Sequence, residues 1–325
     1  MVLIATVLAA SPPVIFAVLG ETIAEKAGVI NLSLDGLLLL TAMVGFAAAR
    51  ATDNLLAGCA AAMAVGALAG LVVAVASLSL SQNQVATGFV LTILCQNLAY
   101  VLGGPLSHVP GPQVAHTPVP VLGHWPILGP ILFDHDVLVY ASILGVAAAW
   151  WYMFATRPGL ALRGLGERPA SAFARGIDVT RLRYAYTLIG GAIVGLGGAA
   201  FSLLVKPGWS RPYGIEGTGW IVLAIVIFGN WNPLRGAAGA YLFVLLQTLA
   251  TTLQSWMPNV PTLVFPTLPF PLMILTLLLV TLGNSEWIQR ALGRLPAGTR
   301  RGILHVVHVL QTSPPASLGV PFEPE

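Results

Sequence analysis

Charge is the scarcest feature of this sequence. Asp, Glu, Lys and Arg make up 8% of the 325 residues, whereas a soluble domain carries about a quarter. Residues 54–133 contain none of these four residue types. The remainder is strongly apolar, with 56% hydrophobic residues and a mean hydropathy of +0.84. This composition excludes an ordinary soluble protein and predicts an integral membrane protein.

Residues for disulfide, zinc and nucleotide chemistry are also few. The two cysteines, Cys59 and Cys95, both lie in apolar runs, which argues against a disulfide framework or a zinc site. The GxxxxGKS/T phosphate loop is absent, so we do not expect the chain itself to bind ATP, and we predict no cofactor. No Ser/His/Asp or Cys/His set suggests an active cleft, so the chain is not predicted to be an enzyme.

Apolar runs long enough to cross a bilayer recur along the chain, each needing about 20 residues. The predicted spans are 3–20, 34–50, 55–80, 84–103, 137–155, 184–205, 219–234, 235–256 and 268–283. The fold is therefore predicted to be an all-α polytopic bundle of about nine transmembrane helices over residues 1–283. Residues 284–325 are predicted to form a polar cytoplasmic tail.

Positive charge is concentrated in residues 157–183, between two apolar runs. This basic segment holds six of the chain's 15 Lys and Arg residues. Because basic loops face the cytoplasm, the segment predicts an outside N-terminus and a cytoplasmic C-terminus. Pro169 can open a short helix here, and Gly176 can close it in the left-handed conformation. The segment is interpreted either as a docking helix for a cytoplasmic partner or as a solvated loop that only sets the topology.

A long connection, residues 104–136, is predicted to lie outside the membrane. Its repeated Pro and Gly argue against a regular helix, and its apolar residues suggest that it folds back on the membrane face. Its histidines match no standard zinc spacing, so no metal site is predicted. These histidines are His108, His116, His124 and His135.

Residues 20–36, the first broken segment, place polar groups at or within the membrane. Glu21 and Glu25 are four residues apart, as are Asn31 and Asp35, so each pair can share a helix face. Gly28 and Gly36 flank the polar residues. The pattern predicts a helix that ends at the edge of the bilayer and then restarts, which is tolerated where it lines a cavity. An ordinary short loop capped by Asp35 is the alternative.

Residues 219–233, the second broken segment, interrupt the other half of the chain in a similar way. Paired interrupted segments point to a transport path, and we predict that Trp220, Asn230 and Asn232 line it. Uncharged amides near the span 84–103 extend the predicted path. They include Asn83, Gln84 and Asn97. A path with amides and few charges suits a neutral polar solute, although each amide alone is equally explained by a hydrogen bond between helices.

Several of these stretches together resemble the permease subunits of bacterial ABC importers in the branched-chain amino acid and simple-sugar superfamily. Within it, the nucleoside-type group is most similar. The likeness rests on GETIAEKAGVINLSLDG (20–36), PILGPILFDHDVLVY (126–140), residues 163–183, GWIVLAIVIFGNWNP (219–233) and PASLGVPF (315–322).

The resemblance implies half of a translocation pathway in the inner membrane, with a nucleoside as the first expected solute. It implies three partners: a cytoplasmic P-loop ATPase that uses the ATP, a second homologous permease and an extracytoplasmic substrate-binding lipoprotein. No nucleic-acid partner is expected. The path-lining role falls on Glu21, Asn31 and Asp35. The coupling to the ATPase falls on Gly166, Glu167, Arg168, Pro169, Ala172, Arg175 and Gly176.

Two other interpretations remain open. The first is a permease of the same importer class for a simple sugar or a branched-chain amino acid. The second is an ion-coupled secondary transporter, which needs buried carboxylates spread over several spans. Here the carboxylates cluster near residues 21–35 and are absent from 54–133, which disfavours the second interpretation.

Overall fold

The structure is a computed structural model, and it describes residues 2–117, 129, 133–257, 264–267, 271, 274–275 and 313–322. Within these residues the fold is all-helical and contains no β-strand; His116 and Asp136 form an isolated bridge. The helices are α1 (Val2–Ala10), α2 (Pro12–Lys26), α3 (Leu34–Thr52), α4 (Leu55–Ala74), α5 (Gln84–Gly103), α6 (Val137–Ala155), α7 (Arg157–Glu167), α8 (Pro169–Ala174), α9 (Val179–Ala200), α10 (Thr218–Phe228), α11 (Pro233–Trp256) and α12 (Val264–Thr267).

Among the described residues, six helices are long and apolar enough to cross a membrane. They are α3, α4 with its π-helical extension to Ser79, α5 with a 3-10 turn to Leu106, α6, α9 with a π-helical extension to Val205, and α11. They coincide with the predicted spans 34–50, 55–80, 84–103, 137–155, 184–205 and 235–256. A multi-pass membrane bundle therefore follows from the described part of the chain.

The predicted count of about nine spans is not confirmed. Helices α1 and α2 pass the same test only together, which makes up to seven spans among the described residues. Helix α10 has 11 residues and is too short to cross the membrane alone. The predicted span 268–283 and most of the tail 284–325 lie outside the described residues, although 313–322 pack back onto the bundle.

A 47° bend separates α1 from α2 at Ser11. Pro12 and Pro13 follow the bend, and proline lacks the N–H that would continue the helical hydrogen bonds of α1. The hydroxyl of Ser11 instead donates to the carbonyl of Val7, at 2.5 Å. Helix α2 then continues past the predicted end at residue 20 to Lys26, because its polar residues face protein and not lipid.

Helix α9 forms the centre of the bundle and packs against α2, α3 and α4. The contacts are backbone to backbone: a Cβ added to Gly66 of α4 would lie 2.1 Å from the carbonyl oxygen of Gly191 in α9. A Cβ added to Gly20 of α2 would lie 2.4 Å from the carbonyl oxygen of Gly190 in α9. The small residues of 57–76 and 190–200 allow this close packing between helices of one chain.

The described part of the long connection folds back on the bundle. Val114 N–H donates to the carbonyl of Leu203, at 2.9 Å, and His108 N–H donates to that of Trp209, at 3.0 Å. Residues 118–128 and 130–132, including His124, lie outside the described residues.

Candidate functional site

The connection between α2 and α3 is non-helical and lies inside the protein. Buried non-helical backbone needs hydrogen-bond partners, and side chains supply them here. Ile30 N–H donates to Oε1 of Gln84 at 2.8 Å, and Asn31 N–H donates to Oε1 of Glu21 at 3.2 Å. Asn31 is 1% exposed and accepts from Ser33 through Oδ1. The predicted break in residues 20–36 is therefore confirmed, and it is enclosed by protein.

The second broken segment meets the first at Asp35. Gly219 N–H, in the first turn of α10, donates to Oδ1 of Asp35 at 3.1 Å. Asp35 itself stands in the first turn of α3. A carboxylate is stabilised near helix N-termini, where free N–H groups point at it. A Cβ at Gly219 would lie 2.2 Å from the Asp35 nitrogen, so only glycine allows this approach.

The turn between α10 and α11 is joined to α2 by a second contact. Asn230 and Trp231 have φ angles of 51° and 52°, in the left-handed region that a bulky residue such as tryptophan avoids. The indole N–H of Trp231 donates to Oε2 of Glu25 at 2.5 Å, and both side chains are buried. This contact offsets the backbone strain at Trp231.

Glu21 and Glu25 stand one turn apart on α2, and both are buried. Among the described residues neither carboxyl group forms an ion pair. Buried ionisable groups in membrane proteins are costly and usually mark a functional path. Glu25 and Trp231 were not among the predicted path residues. The i,i+4 spacing from Glu21 and the position of Trp231 in the second broken segment were the available signals.

The predicted path residues fall into two sets. Glu21, Asn31, Asp35 and Gln84 come together at the broken helices, and Trp220 lies next to them, packed on Phe89 with ring centroids 5.2 Å apart. The other amides have local roles. Asn83 caps α5, Asn232 caps α11, Asn97 is exposed and donates to Ile93 of its own helix, and Asn230 accepts from Ser313 N–H.

The basic segment consists of α7, α8 and the start of α9. Pro169 begins α8, and Gly176 follows it with a φ of +80°, so the predicted short helix and its left-handed end are confirmed. Helix α7 was not predicted separately. Its signals were Thr156 and Pro158, since the Thr156 hydroxyl accepts from Gly159 N–H at 3.1 Å and caps the helix.

A basic groove of about 460 Å³ runs between α7 and α8. Four arginines and one glutamate line it: Arg157, Arg163, Arg168, Arg175 and Glu167. Of the predicted coupling residues, Gly166 and Ala172 are buried against the chain itself, and Glu167 pairs with Lys26 at 3.6 Å. Arg168, Arg175 and Gly176 are exposed and free to meet a partner.

No three potential metal ligands converge in the described parts of the chain. His116 instead pairs with Asp134, with 2.7 Å between Nε2 and Oδ1. Cys59 and Cys95 are free thiols.

A multi-pass helical bundle with two broken segments that meet at a buried carboxylate is typical of a membrane permease. The model of the family described as branched-chain amino acid transport system / permease component matches residues 3–281. The chain belongs to this family, and it is a permease subunit rather than an enzyme.

Three relatives cover most of the chain. A putative glucose ABC transporter permease of Haloferax volcanii is 35% identical over 79% of this chain and 80% of its own length. A guanosine ABC transporter permease of Bacillus subtilis is 31% identical over 82% and 88%. A nucleoside ABC transporter permease of Lactococcus lactis is 28% identical over 77% and 82%. No solved structure matches the chain.

Proposed function

We propose that this chain forms half of the translocation pathway of an ABC importer, and that its solute is a nucleoside. The observation that carries the proposal is the meeting of the two broken segments at Asp35. There the N-termini of α3 and α10 and a buried carboxylate face one another. In many transporters the N-terminus of a broken helix binds polar groups near the middle of the membrane, and α10 is such a helix.

The nucleoside assignment rests on two of the three relatives, which are named for guanosine and nucleoside transport. Glucose is the second candidate, because the relative with 35% identity is named for it. The amide nitrogen of Gln84 is buried without a hydrogen-bond partner among the described residues, and it can donate to the edge of a nucleobase or to a sugar hydroxyl. A direct competition between the two solutes therefore decides the question.

The proposal includes an arrangement in the plasma membrane. Residues 1–283 form the membrane domain with about nine spans, and the N-terminus and the connection 104–136 lie outside. The basic segment 157–183 and the tail 284–325 lie in the cytoplasm. A P-loop ATPase docks on the basic groove through Arg168 and Arg175 and hydrolyses the ATP. A second homologous permease completes the pathway, and an extracytoplasmic substrate-binding lipoprotein delivers the solute.

The test is purification of the native complex through a tag on this chain, followed by reconstitution into proteoliposomes. We expect a P-loop ATPase to co-purify and radiolabelled guanosine to accumulate only with ATP, with no competition from excess glucose. Competition by glucose would move the solute to sugars and keep the importer. Uptake that needs an ion gradient and no ATPase would overturn the proposal.

Asp35→Asn tests the site itself. The amide oxygen of asparagine still accepts from Gly219 N–H, but the negative charge is lost. We expect ATP-dependent guanosine uptake to fall while the complex still assembles. Asp53→Asn is the matched control on the same helix, since Asp53 is exposed at the other end of α3 with a φ of 51°, which asparagine tolerates. Equal uptake by the two variants would remove Asp35 from the path.

A further inference from the structure

Residues 313–322, here called the strap, cross several elements of the bundle. Ser313 N–H donates to Oδ1 of Asn230 at 3.1 Å. Ser317 N–H donates to the carbonyl of Gly166 at 2.7 Å, and Gly319 N–H donates to that of Gly28 at 3.0 Å. At its end Phe322 packs on Phe173 of α8, with ring centroids 5.8 Å apart. The strap therefore contacts the basic segment and both broken segments.

Arg183 lies beneath the strap in α9 and is 1% exposed. Its guanidinium donates to the carbonyl of Val320 at 2.9 Å and to that of Leu165 at 3.1 Å. Among the described residues it has no carboxylate partner. A buried cation is costly unless its donors are paired, so these two carbonyl contacts hold the strap and the end of α7 in one geometry.

Besides the strap and the end of α7, a third segment lies against Arg183 at Gly28. Its φ of +95° favours glycine, and a Cβ there would lie 2.8 Å from Nη2 of Arg183. Gly28 belongs to the connection that follows α2, which carries Glu21 and Glu25. One guanidinium therefore lies against the first broken segment, the end of α7 and the strap.

The strap joins the surface proposed to meet the ATPase to the turns that end the broken helices. On one side are Gly166 and Phe173 of the basic segment. On the other side are Gly28, after α2, and Asn230, between α10 and α11. The strap therefore makes a continuous chain of contacts from α7 and α8 to the turn that contains Trp231, directly after α10.

We propose that the strap, held by Arg183 as a positioning residue, transmits motion of the basic segment to the half-helix α10. This inference rests on the proposed importer function. Coupling between distant sites is carried by packed side chains, hydrogen-bond networks and rigid elements that connect them. The strap is such an element, because backbone hydrogen bonds and a buried guanidinium hold it at both sites.

The test measures the motion of α10 directly, without relying on the solute. The substitution Trp220→Cys is made in a background with Cys59→Ser and Cys95→Ser. Trp220 is 36% exposed and follows Gly219. The rate of maleimide labelling is measured on the purified native complex with and without ATP. We expect ATP to change this rate when the strap is intact.

Two strap variants are then compared with a control. Gly319→Ala puts a side chain at a φ of +75° and 2.9 Å from Cδ1 of Ile30, so it displaces the strap. Arg183→Lys replaces the rigid guanidinium by one ammonium, whose single nitrogen cannot take the positions of both Nη1 and Nη2. In both variants we expect the ATP-induced change in labelling rate to fall at least about fivefold, the lower end of coupling between sites. Val320→Ala is the control, because the side chain of Val320 is exposed and its carbonyl remains.

The outcomes separate the two proposals. A strap variant that assembles with the ATPase and keeps the full ATP-induced change overturns the strap proposal, even if its unfolding temperature is lower, because the strap would then be only structural. If Arg183→Lys does not assemble, Gly319→Ala decides, since it changes only the strap. A different result bears on the importer function. If the complex with an unmodified strap contains no ATPase and ATP does not change its labelling rate, the importer function is overturned.

Discussion

The hydrogen bond between Trp231 and Glu25 holds a tryptophan at a φ angle that its side chain disfavours. Trp231→Phe keeps most of the ring but removes the N–H, which leaves the buried Glu25 carboxyl without this donor. We expect a loss of about 1–3 kcal/mol in stability, the usual cost of an unpaired buried polar group. Thermal unfolding of the purified complex measures it. Glu25→Gln is the comparison, since its amide oxygen still accepts, and an equal loss in both variants would contradict the explanation.

A second contact at the residue scale depends on pH. Hydrogen bonding to Asp134, and the charges of Asp134 and Asp136, raise the pKa of His116 above its ordinary 6.5. The contact therefore stabilises the long connection fully below pH 6.5 and loses this contribution as the pH rises through the raised pKa. The effect is small because the imidazole is 56% exposed. Limited proteolysis of the connection should become faster as the pH rises above 6.5 and through the raised pKa of His116. His116→Gln should remove this dependence, and an unchanged pH profile would exclude His116 as its source.

At the scale of elements, the packing of α4 on α9 depends on glycine pairs that leave no room for a methyl group. Gly66→Ala would place a Cβ 2.1 Å from the Gly191 carbonyl, so the helices must separate. We expect a loss of about 1–3 kcal/mol, as for other overpacked interiors, and a lower unfolding temperature. Gly104→Ala is the control because an added Cβ there meets nothing within 4 Å. Wild-type stability of Gly66→Ala would mean that these helices are not held at this distance.

For the whole molecule, the proposed orientation can be tested with single cysteines in a background without Cys59 and Cys95. Thr52→Cys, at the exposed end of α3, should react with a membrane-impermeant maleimide on intact cells. Ala174→Cys, exposed at the end of α8, should react only after the cells are permeabilised. Both cysteines should react in permeabilised cells. The reverse pattern on intact cells would invert the proposed topology.

The sequence was sufficient for features with local signals. Six of the about nine spans predicted from long apolar runs match helices among the described residues. Pro169 and Gly176 predicted a short helix, and Gly28 with its polar neighbours predicted a break. The meeting of the breaks was not predictable, because Gly219 and Asp35 are 184 positions apart and their contact depends on how α3 and α10 pack.

Some residues make contacts that the sequence did not indicate, for the same reason. In the sequence, Arg183 is grouped with the other charged residues of the basic segment. The structure buries it under the strap. Asn83 and Asn232 are the kind of uncharged polar residue expected in a path, and both cap helices. Any asparagine at the start of a helix can have this role. Composition identifies polar residues in an apolar chain, and only packing decides what they contact.

The shortness of α10 has a consequence for the order in which the protein is built during synthesis. Its 11 residues rise about 16 Å, roughly half the hydrocarbon thickness of about 30 Å. A nascent segment of this length cannot remain in lipid alone, because its terminal N–H and carbonyl groups would be unsolvated. Asp35 accepts from an N–H in the first turn of α10, and Glu25 accepts from the indole of Trp231 just after the helix; both residues leave the ribosome long before α10. Helices α2 and α3 therefore act as an internal template onto which the later half-helix inserts.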